Sequence, residues 1–94
     1  MAKVQNMTSS NGNKIANQFI IFDPEYTVFQ SYDSVIVKTV FEDGKRKTYL
    51  DERYWDYSKT TSKYRNQFLG ATSAQVKKRI KSGEYVLTNL NSEA

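Results

Sequence analysis

Between residues 54 and 68, Tyr54, Trp55, Tyr57, Tyr64 and Phe68 alternate with Lys59, Lys63 and Arg65. Rings and cations in this mixture have a definite chemistry. An exposed tyrosine stacks on an unpaired base, contributing about 1–3 kcal/mol per base. The neighbouring cations neutralise phosphates and make binding salt-dependent. The same rings can instead cover the open face of a small sheet with their hydroxyls in water. Trp55 and Phe68 are expected to serve as that cover; for Tyr54, Tyr57 and Tyr64 both readings stand.

A second basic group follows in "KKRIK", where Lys77, Lys78, Arg79 and Lys81 could track a phosphate backbone or form the solvated face of an amphipathic helix. Residues 57–83 carry seven basic residues and no acid, whereas residues 1–56 carry seven basic and eight acidic ones. The net charge of +4 therefore arises in the later segment, and that asymmetry favours an anionic partner. The tip "EDGKRK" offers Lys45, Arg46 and Lys47 to a groove, but Glu42 and Asp43 blunt it, and a soluble turn is the simpler reading.

Catalytic chemistry finds little to work with. The chain has no cysteine and no histidine, so disulfides, thiolate metal sites and a Ser-His-Asp triad are excluded. The acids Asp23, Asp33, Asp51, Glu52 and Asp56 are scattered without paired-carboxylate or calcium-loop spacing. Gly12, Gly44, Gly70 and Gly83 are isolated, so no phosphate-binding glycine loop is present. Tyr64 beside Arg65 has the makings of a strand-transfer nucleophile, but no carboxylate cluster stands by to hold a metal. The expectation is a binding protein that is not an enzyme and has no cofactor.

The elements that must carry these residues follow from period and turn chemistry. Residues 1–16 are polar and aperiodic and read as a flexible tail, leaving 17–91 as one domain. "NQFIIF" and "TVFQSY", joined by "DPEY", read as a hairpin. "SVIVKTVF" is the clearest strand, with Val35, Val37, Thr39 and Phe41 on one stripe and Ile36, Lys38 and Val40 on the other. Asp43-Gly44 predicts a tight turn into "KRKTYL". "DERYWDY" suits one or two helical turns capped by Asp51, "SKTTSK" reads as a loop, and "YRNQFLG" as a short strand.

Thr72 and Gln75 at capping-box spacing, Val76 and Ile80 on one face, and Gly83 beyond predict a helix over 72–82. "EYVLTNL" reads as a last strand and "NSEA" as a frayed end. The fold class is therefore α+β: an antiparallel sheet of about five strands with one main helix packed on it. Phe19, Ile21, Phe29, Val35, Ile36, Val37, Leu50, Trp55, Phe68, Val76, Ile80 and Leu87 are the core candidates. The N-terminus lacks a signal-peptide apolar region and no run of about 18 apolar residues occurs, so a cytoplasmic protein without a membrane span is expected.

"FQSYDS" and "WDYSKTTSKYRNQFLG", with the flanking "NQFIIF" and "KSGEYVLTNLN", make residues 11–91 similar to a family of small uncharacterised proteins of phages and mobile elements of Gram-positive bacteria. That resemblance implies a setting and no catalytic residues. The setting raises two prospects. One is contact with nucleic acid or a nucleoprotein through Tyr54, Tyr57, Lys59, Lys63, Tyr64, Arg65, Lys77, Lys78 and Lys81. The other is inhibition of a host defence effector, of anti-CRISPR or anti-restriction type.

Overall fold

The computed structural model describes residues 3–9 and 11–91. Six strands run β1 Lys3–Thr8, β2 Lys14–Phe22, β3 Tyr26–Ser31, β4 Ser34–Glu42, β5 Lys45–Asp51 and β6 Tyr85–Thr88. Helices α1 Lys59–Leu69 and α2 Ser73–Ser82 separate β5 from β6. The strands lie side by side in chain order in one sheet, confirming the α+β class with one strand more than expected.

The first five strands form an antiparallel meander, as short turns dictate. β6 joins β5 in parallel because the connection between them is the long one through both helices. At the β4–β5 turn Asp43 and Gly44 both take positive φ, 51° and 75°, as a tight two-residue hairpin turn requires.

Both helices pack on one face of the sheet. The core joins Phe29, Val37 and Leu50 from neighbouring strands with Ile36, Met7, Tyr85 and Val76, and Tyr64, Phe68, Leu69 and Ile80 pack against it from the helices. Paired positions Val4, Ile21, Val28, Lys38, Tyr49 and Val86 share the opposite face.

Several expectations need correction. Residues 3–8 and 14–16, expected in a flexible tail, are strand, and Met7 is only 3% exposed within the core. Pairing of Val4, Gln5 and Asn6 with Ile21, Ile20 and Phe19 fixes that segment although its composition is polar. Residues 58–69, expected as a loop followed by a strand, instead supply the cap and body of α1. Finally, the two stripes of β4 do not run its full length. A bulge pairs Phe29 with Val37 and Gln30 with Val35, leaving Ile36 as the extra residue. Ile36 and Val37 are thus both buried, and Val35 turns away.

Of the other core candidates, Phe19 and Ile21 lie on the face away from the helices, where Ile20 takes the inward position, and Leu87 is exposed. Asn91 clamps the bulge: its side chain accepts from the Val35 N–H at 2.7 Å and donates to the Val35 carbonyl at 2.9 Å. The expected fraying of "NSEA" otherwise falls on residues 92–94, outside the described residues.

Candidate binding surface

Asp51 at the end of β5 turns the chain toward this surface. Its carboxylate accepts from the backbone N–H of Arg53 at 3.1 Å and Tyr54 at 2.9 Å, and the other oxygen accepts from Leu90 at 2.9 Å. The Trp55 N–H then donates to the Asp51 carbonyl, closing one helical turn, as the residue types implied. Ser58 ends the segment as N-cap of α1, its hydroxyl accepting from the Thr61 N–H at 3.1 Å. Gly70, at φ 65°, closes α1 in the left-handed conformation.

Arg65 was expected to hold phosphate. It is instead completely buried. One guanidinium nitrogen donates to the Trp55 carbonyl at 2.6 Å and reaches Asp56 at 3.3 Å. The other donates to Asn66 at 2.9 Å and to the Ser73 hydroxyl at 3.2 Å. Burial draws the Arg65 pKa below its ordinary value, and the hydrogen bond and charge of Asp56 oppose that shift. The side chain ties the 51–58 turn, α1 and the start of α2 together and is unavailable to a ligand. Trp55 lies beneath its guanidinium and packs on the core, as does Phe68, which stacks on Phe29 with centroids 5.9 Å apart.

The tyrosines separate. Tyr64 is half-buried against the core, with Lys63 Nζ 5.4 Å from its ring centre. Tyr54 is half-buried and meets Tyr57 edge to face at 5.6 Å and 74°. Tyr57 is 69% exposed. Together with Tyr32, which is 57% exposed, Tyr54 and Tyr57 line a cleft of about 480 Å³ whose floor includes Ile36 and Thr61. Ser31 and Thr61, which both line the cleft, share a buried hydrogen bond at 3.2 Å that joins α1 to β3.

Sequence reading missed Tyr32. It occupies the β3–β4 turn at φ 54°, a conformation rare for an aromatic residue, held by its N–H to the Asn17 carbonyl at 2.7 Å. The only signal in the chain was its place in "SYDS" between two strands. Asp33, also exposed, is an acidic residue lining the same cleft.

Lys59, Lys63, Lys77, Lys78 and Lys81 are all exposed on the outer sides of the two helices. Among the described residues the ion pairs are Arg65–Asp56 and Arg79–Glu84, so none of these five lysines is neutralised by a carboxylate. Arg79 is half-buried and bonded to the Tyr85 hydroxyl at 2.9 Å. That bond raises its pKa, with smaller help from Glu84. Among the described residues no group of three Asp or Glu side chains stands close enough to hold a metal ion, and no helix is long and apolar enough to cross a membrane.

Neither the curated proteins nor the solved structures contain a match to this chain. Residues 2–84 match the family described as "Family of unknown function (DUF8033)", and the chain belongs to that family.

Proposed function

We propose that this is a small non-enzymatic binding protein, of phage or mobile-element type, that works in the cytoplasm of a bacterial host by contacting nucleic acid or a nucleoprotein. The observation that carries this reading is the tyrosine cleft. Tyr32, Tyr54 and Tyr57 offer ring surface at one site, and Lys59 opens α1 two residues after Tyr57. Unpaired bases stack on such rings, while Lys59, Lys63, Lys77, Lys78 and Lys81, none of them paired with a carboxylate among the described residues, supply positive charge along both helices. Arg65 plays no part in contact.

Fluorescence anisotropy with labelled single-stranded and double-stranded DNA and RNA tests the reading. The expected outcome is binding at low salt that weakens steeply as salt rises. Absence of binding to every one of them at low salt would end it.

Asp33 favours a second reading. An acidic residue lining the cleft repels phosphate, and exposed tyrosines are also hot-spot residues of protein interfaces. In this reading the protein inhibits a host defence effector by binding it directly. Pull-down from host lysate separates the two: a partner retained after nuclease treatment supports the inhibitor, and loss of all partners supports nucleic-acid binding.

A further inference from the structure

A second cleft lies elsewhere on the molecule. The inner-face row Phe22, Thr27, Thr39, Thr48 and Tyr85 runs across β2 to β6, one step beyond the core row toward the β2–β3 and β4–β5 turns. Phe41 and Arg46 pair one step further out. The helices cover this end only in part. Phe68 and Leu69 from the end of α1, and Arg79 from α2, wall a cleft of about 610 Å³ over that row.

We propose that this cleft binds a small amphipathic anion: an apolar, ring-sized body carrying a carboxylate or a chemically similar acidic head. Phe22 and Phe41 line it while remaining 43% and 47% exposed, so an apolar body seated there removes ring surface from water. Arg46 stands at the rim with its guanidinium 5.6 Å from the Phe41 ring centre. Among the described residues it has no carboxylate partner. The other charges of the cleft are matched, because Glu84 lies 3.5 Å from Arg79.

One cation is thus left over, beside two open rings. The Thr39 and Thr48 hydroxyls, 3.4 Å apart on the floor, add polar groups able to orient a head group. The volume lies within the roughly 300–1,000 Å³ typical of small-molecule sites. A second copy of the chain is a poor occupant, because it brings a further net charge of +4 toward Arg46.

NMR titration of the full chain with 2-naphthoate tests the assignment, with neutral 2-naphthalenemethanol and with inorganic phosphate as comparisons. The expected result is saturable shifts at Phe22, Phe41, Arg46 and Thr48, with both comparison compounds binding about tenfold more weakly or worse. Arg46→Met should weaken 2-naphthoate about tenfold. Phe41→Ser should weaken it as well, and both variants should melt like the parent because the residues are exposed. Tyr57→Ala should leave this binding unchanged, which separates the site from the tyrosine cleft. Equal affinity for the neutral alcohol, unchanged affinity in Arg46→Met, or shifts centred on the lysines of α1 and α2 would overturn the proposal.

Discussion

Arg65 donates a 2.6 Å hydrogen bond to the carbonyl of Trp55 while its guanidinium lies 5.4 Å from the centre of the same residue's ring. The charge is thus satisfied by a backbone oxygen, a ring face and Asp56 rather than by solvent. Arg65→Met should therefore destabilise the fold by about 3 kcal/mol, since it strands the Trp55 carbonyl and the Asn66 side chain. Arg65→Lys should recover little, because an ammonium cannot span both sides of the fork. Urea denaturation of both variants measures this; midpoints equal to the parent's would contradict a structural Arg65.

Met7 places the N-terminal strand inside the cooperative unit. Met7→Ala should cost about 2–3 kcal/mol, in the range for truncating a buried methionine. Val4→Ala, at a position 62% exposed, should stay within about 0.5 kcal/mol. Thermal melts of the pair provide the contrast, and equal melting temperatures would mean that β1 adds nothing to stability.

Thr72 and Gln75 form a reciprocal cap on α2: the Gln75 N–H donates to the Thr72 hydroxyl at 3.2 Å, and the Thr72 N–H donates to the Gln75 side-chain carbonyl at 2.9 Å. Thr72→Ala should lower stability by about 1 kcal/mol, and Thr72→Ser should restore most of it. The check is a chemical denaturation series, in which a serine variant as weak as the alanine one would rule out capping as the cause.

Tyr57 is exposed enough to be removed without harm to the fold. Tyr57→Ala should change stability by less than about 0.5 kcal/mol yet weaken single-strand binding by about 1–3 kcal/mol. Replacing Lys77, Lys78 and Lys81 together by Gln should flatten the salt dependence of binding by up to about one unit of slope per lost phosphate contact. Affinities measured across a salt series report both effects. Parental affinity in Tyr57→Ala would remove the stacking role.

Much of the sheet was legible because its signals are local. Alternation in β3 and β4, the Asp43-Gly44 turn and the Thr72–Gly83 boundaries of α2 each need only a few neighbouring residues. Helix α1 was not legible, for a specific reason. Tyr64, Phe68 and Leu69 pack on the core from its second half only, and its two fully buried positions, Thr61 and Arg65, are polar, so the apolar stripe is short and incomplete. The end signals were present in Ser58 and Gly70 and were outweighed by the β-branched, polar composition between them. β1 was hidden in the same way, since Met7 is its single buried residue.

The sequence by itself determined the α+β class, most of the run of β2 to β6, the lack of histidine and cysteine chemistry, and the concentration of positive charge after residue 56. These depend on residue type and on neighbours within a turn or a hairpin. Only the tertiary structure decided which charges and rings are free. Burial turned Arg65 from a surface cation into an internal tie, and the bulge at Ile36 moved both faces of β4. The β3–β4 turn brought Tyr32 to Tyr57 across 25 residues of chain. Exposure and long-range proximity belong to the packed chain as a whole, and no local stretch encodes them.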